Sequence, residues 1–247
     1  MTRQKSILVG ALLLGLMLSF SVSAKQLKLV ASAWPPYVDE NLPGKGLAMD
    51  LVSTALTRAG YTPSITIETW PRALEGTQIG IYDIIAGAWY SDERARHFTF
   101  SEPFYINEIK FIKQKARDII FNNLKDLDNL RVGIVAEYAY GDEFERATNF
   151  IKVPRNHVIQ NLLKLVAGQI DLTLDDELAV RHELQQYMPS HIKDLEFLPK
   201  PLDRKGLHIA ISRKHPDHKK IATEFDKAIA QMKADGSYMK IIKKQGF

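Results

Sequence analysis

Hydrophobic and polar positions in the first part of the chain follow the period of strands and that of helices in turn. Gln26 to Ala31 alternates and predicts a first strand, and apolar residues at helical spacing predict a helix that opens at Gly46. A segment rich in strand-forming residues follows at Ser64 to Thr69, and Pro71 suits the first turn of a second helix. The apolar run Ile84-Ile85-Ala86 predicts a buried strand. This β-α-β-α-β order is typical of a parallel sheet covered by helices.

The same order recurs in the second part of the chain. Strands are predicted at Arg131 to Val135, at Phe150 to Val153 and within Gly168 to Leu174. The helix predicted from Asn156 to Ala167 places its apolar residues on one side, and another helix follows the last strand. A further strand at Gly206 to Ser212 and two helices end the chain. The repeated series predicts an α/β protein with two lobes.

Two extended stretches predict where the chain crosses between these lobes. Ile106 to Lys113 lies between the two series, and Lys193 to Pro201 precedes the C-terminal strand and helices. We expect the C-terminal segment to return to the first lobe. Lobe 1 is therefore predicted to comprise residues 25–108 together with 203–247, and lobe 2 residues 109–202.

The N-terminus has the pattern of a secretory signal peptide. Arg3 and Lys5 precede the short apolar run Ile7 to Phe20, and Val22-Ser23-Ala24 offers small residues for cleavage. We predict that residues 1–24 are removed and that the mature protein is soluble and exported. In a Gram-negative cell, this location is the periplasm.

Composition narrows the possible functions further. The chain has no cysteine, which excludes disulfides, thiolate metal sites and a cysteine nucleophile. The net charge of +4 falls to +2 without Arg3 and Lys5, and the basic residues are spread along the chain. We therefore predict no nucleic-acid partner. The seven histidines match no metal motif, and His215 and His218 are interpreted as part of a solvated face. No cofactor and no metal are predicted.

One stretch, Gly80 to Tyr105, has the features of a binding loop. Its apolar strand is predicted to end in glycine and to be followed by Trp89, by a helical turn capped by Ser91 and by Arg94. An arginine presents a planar fork of donors that fits a carboxylate bidentately. The alternative is that Arg94 is a solvated surface charge beside Glu93 and another arginine.

This stretch resembles the signature of the family 3 extracellular solute-binding proteins, the periplasmic receptors for polar amino acids that feed ABC importers. The residues that match it in place are Asp83, Ser91, Arg94, Phe100, Ser101 and Pro103. Further matches extend the resemblance over the mature chain: Trp34-Pro35-Pro36-Tyr37, Gly46, Asp50-Leu51, Arg131-Val132-Gly133, Gly168, Asp171, Lys233, Asp235-Gly236 and Tyr238. The resemblance implies the two-lobed periplasmic-binding-protein (type II) fold, with two β-sheets flanked by helices and a two-strand hinge.

The resemblance also implies roles for two charged residues. The arginine at the position of Arg94 clamps the α-carboxylate of the ligand in this family. The acidic residue at the position of Asp176 accepts hydrogen bonds from the ligand's α-ammonium group. Asp176 alternatively serves as a plain helix cap. Arg72 is a candidate for a second anion contact, with a surface charge as the alternative.

The aromatic candidates are the three tryptophans, each at a predicted strand end. Trp34 and Trp70 align with family positions that touch the ligand's side chain, whereas ordinary packing is the alternative for all three. Related amino-acid binders often carry Ser or Thr near the positions of Gly87 and Trp89. They also often carry Thr where this chain has Tyr138 and Ala139. The chain departs from the family at these positions, and Trp89 takes space in the standard binding pose.

The leading functional hypothesis is a monomeric binding protein that captures a small polar ligand, an amino acid or related carboxylate. It would deliver this ligand to an ABC permease in the inner membrane without turning it over. One alternative is a periplasmic enzyme of the cyclohexadienyl dehydratase type, which would need an acid such as Glu137 or Glu177. Another is a ligand-sensing partner of a membrane receptor.

Overall fold

A computed structural model describes residues 25–246 of the protein. The predicted signal peptide, residues 1–24, lies outside this range. In the described part of the chain, no helix is both long enough and apolar enough to cross a membrane.

Strands and helices alternate over most of these residues. The strands are β1 Lys25–Ala31, β2 Tyr61–Ile67, β3 Ile84–Trp89, β4 Phe98–Phe100, β5 Tyr105–Gln114, β6 Arg131–Val135, β7 Ile151–Arg155, β8 Leu172–Asp176, β9 Leu195–Phe197 and β10 Asp203–Ser212. The helices are α1 Leu47–Arg58, α2 Trp70–Ile79, α3 Asp92–Ala95, α4 Asp142–Arg146, α5 Val158–Val166, α6 Glu177–Tyr187, α7 His218–Ala234 and α8 Ser237–Lys244. Short 3₁₀ turns lie at Pro43–Lys45, Leu124–Leu127 and Pro189–Asp194.

The strands are hydrogen-bonded in the order β2-β1-β3-β10-β5-β8-β6-β7, with β4 on β10 and β9 on β5. The group β2-β1-β3 is parallel, and so is the group β7-β6-β8. We call these groups, with the helices packed on them, the first and second lobes. The predicted two-lobed α/β architecture is confirmed, with one addition: the antiparallel pair of β5 and β10 joins both groups of strands into one continuous ladder.

The chain passes between the lobes along β5 and along the segment antiparallel to it. β9 pairs with the C-terminal end of β5, and the amides of Leu198 and Leu202 donate to the carbonyls of Phe111 and Ile109. β10 continues this pairing and then joins β3. The predicted connector at Lys193 to Pro201 is therefore the first part of a longer crossing that ends in β10.

Each lobe has a hydrophobic core built from the amphipathic faces that the sequence predicts. In the first lobe, α1 and α7 bury residues such as Leu51 and Phe225 against Leu29 and Ile84. In the second lobe, α5 buries Leu162 with other apolar residues of α6 and β9. Fully burying one such side chain contributes about 1.5–3 kcal/mol before the entropy of ordering it is subtracted.

The prediction that the strand beginning at Ile84 ends in glycine is wrong. β3 continues through Gly87 to Trp89 because β10 pairs with it there, Leu207 opposite Trp89 and His208 opposite Ala88. The predicted cap is confirmed, since the Ser91 hydroxyl accepts from the Arg94 amide at 3.2 Å and starts α3. The strand end thus places Trp89, and the short helix places Arg94, at the edge that faces the second lobe.

Candidate functional site

A small cavity lies between the two lobes. Its volume is about 30 Å³, which is room for about one water molecule. Its walls are mostly apolar, and Arg94 is the charged residue among them. The lining residues are Ala31, Ser32, Trp34, Val38, Ala48, Trp70, Gly87, Ala88, Trp89, Arg94, Tyr138 and Leu207. The first lobe and β10 supply eleven of these twelve residues, and the second lobe supplies Tyr138.

The ring of Tyr138 lies among the three tryptophans. Its centroid lies 5.1 Å from that of Trp89, 6.1 Å from that of Trp70 and 6.5 Å from that of Trp34. All three pairs are edge-to-face, the arrangement that aromatic quadrupoles favour. The tryptophans therefore form a box, and an aromatic ring from the opposite lobe occupies it.

Arg94 lies at the rim of this box with its guanidinium held by backbone carbonyls. One terminal nitrogen donates to the carbonyl of Trp89 at 2.7 Å, and the other donates to the carbonyl of Glu137 at 2.6 Å. The guanidinium carbon also lies 5.0 Å from the ring centroid of Trp70. Burial lowers the pKa of Arg94 to about 10. Within residues 25–246 no carboxylate forms a salt bridge with it. The guanidinium is therefore partly buried and held by carbonyl groups rather than by an anion.

The carbonyl of Glu137 is the point at which the second lobe meets Arg94. It also accepts from the indole nitrogen of Trp70 at 3.2 Å. Glu137 has a positive φ of 61°, and this left-handed turn directly precedes Tyr138. The turn after β6 thus positions both the Glu137 carbonyl that accepts from Arg94 and the Tyr138 ring that occupies the box.

Asp176 ends β8 and is only 2% exposed. One carboxylate oxygen accepts from the Tyr37 hydroxyl at 2.7 Å and from two amides at the start of α6, those of Leu178 and Ala179. The other oxygen accepts from the Asn107 side chain at 3.2 Å and from the amide of Glu108 at 3.1 Å. Burial raises the pKa of Asp176, and these hydrogen bonds oppose the shift.

A buried polar chain connects this carboxylate to the tryptophan box. The indole nitrogen of Trp89 donates to the Asn107 carbonyl oxygen at 2.9 Å, and the Asn107 amide donates to Asp176. Sequence reasoning missed Tyr37 and Asn107 as parts of the site. The motif Trp-Pro-Pro-Tyr contains Tyr37, and Asn107 is a polar residue in phase with the buried Ile109 and Phe111 of its strand, so both left a signal.

Asp175, which directly precedes Asp176, is fully buried at 0% exposure. One of its oxygens accepts from the amide of Asp176 at 2.7 Å, whereas the other has no hydrogen-bond partner. The indole nitrogen of Trp34 also lacks a partner and lies near this carboxyl group without a well-formed hydrogen bond. Burial raises the pKa of Asp175 to about 8.

The predicted site residues divide into two groups. Six of them line the cavity together: Trp34, Trp70, Gly87, Trp89, Arg94 and Tyr138. Asp176 and Ala139 are buried nearby but do not line it. Arg72 pairs with Glu68 at 3.3 Å, and its side chain is 73% exposed, as its surface alternative describes. Among residues 25–246, no group of three or more His, Cys, Asp or Glu side chains could hold a metal ion.

Comparisons with known proteins agree with this architecture. ABC transporter arginine-binding protein 1 of Escherichia coli (strain K12) is 23% identical over 241 residues, 96% of this chain and 97% of that protein. The sensor protein EvgS of Escherichia coli (strain K12) is 28% identical over 202 residues, 79% of this chain but 16% of the sensor. A solved ancestral arginine-binding protein bound to arginine has a TM-score of 0.76 at 20% identity, covering 90% of this chain and 98% of its own. At that identity the structural likeness supports the fold alone.

The family comparison covers most of the chain. The sequence pattern of the bacterial extracellular solute-binding proteins, family 3, matches residues 29–246, which include both lobes and the cavity between them. The chain belongs to the bacterial extracellular solute-binding proteins, family 3.

Proposed function

We propose that the protein captures a small carboxylate-bearing ligand, an amino acid or a related acid, between its two lobes. The observation that carries this proposal is Arg94, a partly buried guanidinium that lines the cavity and has no ion-pair partner in the described part of the chain. Burying an unpaired charge is costly, and a ligand carboxylate would offset that cost.

In this mechanism the ligand's carboxylate replaces the carbonyl of Glu137 on the Arg94 fork. A carboxylate brings a full negative charge and can accept two parallel bonds from the guanidinium, whereas the carbonyl is neutral and accepts one, so the exchange favours the ligand. Trp34, Trp70, Trp89 and Gly87 then contact the rest of the ligand, and Tyr138 leaves the box. Because Arg94 and Tyr138 lie on opposite lobes, the ligand enters when the lobes separate and is enclosed when they close.

The proposed setting is transport. The chain is exported to the periplasm, acts as a monomer and passes its ligand to an ABC permease without chemical conversion. Support comes from the family, from the N-terminal sequence pattern and from the arginine-binding relative, which aligns over nearly its full length.

Substitution of Arg94 by alanine is the decisive test. Truncating one partner of a buried charge pair costs on the order of 2–5 kcal/mol, so affinity should fall roughly 30- to several-thousand-fold. Native mass spectrometry of freshly purified protein identifies a retained ligand, and calorimetry measures its affinity for each variant.

Arg96→Ala is the matched control, because Arg96 is an exposed arginine two residues away and does not line the cavity. Equal affinity in the Arg94 and Arg96 variants would rule out the proposed carboxylate contact. Chromatography of the ligand after long incubation shows whether the protein converts it chemically. Formation of a product would favour the enzymatic alternative.

A sensing role is the second candidate, and the similarity to EvgS is the observation that favours it. Deletion of the gene separates the two roles. Transport predicts that uptake of the identified ligand is lost, whereas sensing predicts normal uptake together with loss of the transcriptional response to that ligand.

A further inference from the structure

We propose that the preferred ligand is an apolar or aromatic carboxylate without an α-ammonium group, rather than a zwitterionic or basic amino acid. This inference rests on the proposed function, because it takes Arg94 as the carboxylate site. The partners of Asp176 and the walls of the cavity decide what else the site can recognise.

Asp176 has no free lone pair for a ligand cation. A carboxylate offers about four lone-pair sites, and Asp176 already accepts from five donors. Two of these donors belong to β5, the strand that connects the lobes and pairs with β8. Two more are amides at the start of α6, which directly follows Asp176 in the second lobe. The fifth is the Tyr37 hydroxyl from the first lobe, whose pKa burial raises well above its usual value, so it stays a donor. Tyr37 thus takes the place that an α-ammonium group would need.

Asp175 is the other carboxyl group close to the box, and it also offers a ligand cation little. Its side chain is fully buried and is not part of the cavity wall. Its neighbours are the indole of Trp34, the rings of Tyr138 and Tyr140, and the acidic groups of Asp176 and Glu183. Burial and this acidic surrounding keep Asp175 protonated near neutral pH, so it presents no negative charge to a ligand.

The walls of the cavity favour an apolar ligand body. The lining consists of three tryptophans, Tyr138, glycine and aliphatic residues, one serine and one cation. The ring of Tyr138 already occupies the box in the edge-to-face geometry that a ligand ring would adopt. A guanidinium beside that ring supplies the anion contact. An arylalkyl carboxylate would therefore match both the aromatic walls and the cation of the cavity.

A matched set of three compounds tests this inference by calorimetry at neutral pH. Hydrocinnamate carries the aromatic ring and the carboxylate, L-phenylalanine adds the α-ammonium group, and phenethylamine keeps the amine but lacks the carboxylate. L-Arginine is the fourth probe. We expect hydrocinnamate to bind at least about tenfold more tightly than L-phenylalanine or L-arginine, because their extra cations would be buried without an acceptor.

Each of the other outcomes contradicts either this inference or the proposed function. If L-phenylalanine or L-arginine binds more tightly than hydrocinnamate and Arg94→Ala abolishes that binding, the inference is wrong and the proposed function stands. If phenethylamine binds as well as hydrocinnamate, the carboxylate site itself is wrong, and the proposed function falls with it. If no probe binds below about 1 mM, the inference is overturned, while native mass spectrometry still tests the proposed function.

Two conservative variants test the role given to Asp176 and Tyr37. Asp176→Asn keeps a helix cap, so it should change the affinities for hydrocinnamate and L-phenylalanine by the same factor. A selective loss of L-phenylalanine binding would show instead that Asp176 contacts the ammonium group. Tyr37→Phe removes the donor that occupies the first-lobe side of Asp176, and it should therefore narrow the gap between the two ligands. An unchanged gap in that variant would contradict the proposed competition.

Discussion

At the scale of single residues, burial decides the charge of Asp175. Its folded-state pKa of about 8 lies far above its ordinary value of 3.8. Between these two values the unfolded chain has released the proton and the folded protein has kept it. The contribution of Asp175 to the free energy of unfolding is therefore fully present below about pH 4. This contribution decreases as the pH rises, and it is lost once the pH has passed about 8.

We expect Asp175→Asn to flatten this pH dependence. The wild type should lose up to about 1.4 kcal/mol of unfolding free energy per pH unit across this window, on the order of a few kcal/mol in total. Urea unfolding at several pH values measures the slope. Asp118→Asn, at an exposed position, is the control and should follow the wild type. A variant of Asp175 with the wild-type slope would show that this group titrates normally.

The sequence predicts some of these residues and misses others for a physical reason. Arg94 and the tryptophans follow from a local motif and from strand ends, so the chain order itself places them. The partner of Asp176 does not follow, because the Tyr37 hydroxyl comes from 139 residues away. Only the packing of the two lobes shows that this carboxylate is already satisfied.

At the scale of elements, the close contact of α5 with β6 makes Gly133 sensitive to substitution. A Cβ at this position would lie 2.6 Å from the Ile170 side chain and 2.9 Å from Asn161, whose amide holds the carbonyl of Ile134. We expect Gly133→Ala to cost about 1–3 kcal/mol through overpacking. Thermal unfolding measures this cost.

Gly87→Ala is the matched control, because its Cβ would make only an ordinary contact with Leu207 at 3.4 Å. It should unfold close to the wild-type temperature while placing one methyl group in the cavity wall. Equal stability of the two variants would mean that α5 can shift away from β6 at no cost in the free energy of unfolding.

The elements themselves were largely predictable. The two β-α-β-α-β series are confirmed because helical and strand periods are local properties of the sequence. β9 lies within the extended stretch predicted at Lys193 to Pro201, whereas its pairing with β5 follows only from the fold. The extension of β3 to Trp89 depends on pairing with β10, which is more than a hundred residues away.

At the scale of the whole molecule, contacts made by the protein itself hold the lobes together. Tyr37 bonds to Asp176, Arg94 bonds to the carbonyl of Glu137, and Tyr138 fills the box of the opposite lobe. The predicted lobe limits at residues 109 and 203 fall on β5 and at the start of β10 and remain a prediction. These contacts imply that the closed form competes with the ligand for the same surfaces.

We expect Tyr138→Ala to shift the protein without added ligand toward an open form. The ring loses edge-to-face contacts that are worth about 0.5–1.5 kcal/mol each, enough to change the ratio of two forms severalfold. X-ray scattering should show a larger radius of gyration than for the wild type. Tyr187→Ala, at a position that is 65% exposed, is the control. An unchanged radius in the Tyr138 variant would remove this ring from the closure mechanism.

The box between the lobes also concentrates the protein's optical signal. The chain has three tryptophans, and all of them line the same cavity. Their fluorescence therefore reports on this one place, with no emission from indoles elsewhere to dilute it. A ligand that displaces Tyr138 or recruits Arg94 changes the surroundings of every emitter at once. The unlabelled protein can therefore report ligand binding through its own fluorescence. Events in either lobe that leave the box unchanged should not alter the tryptophan emission.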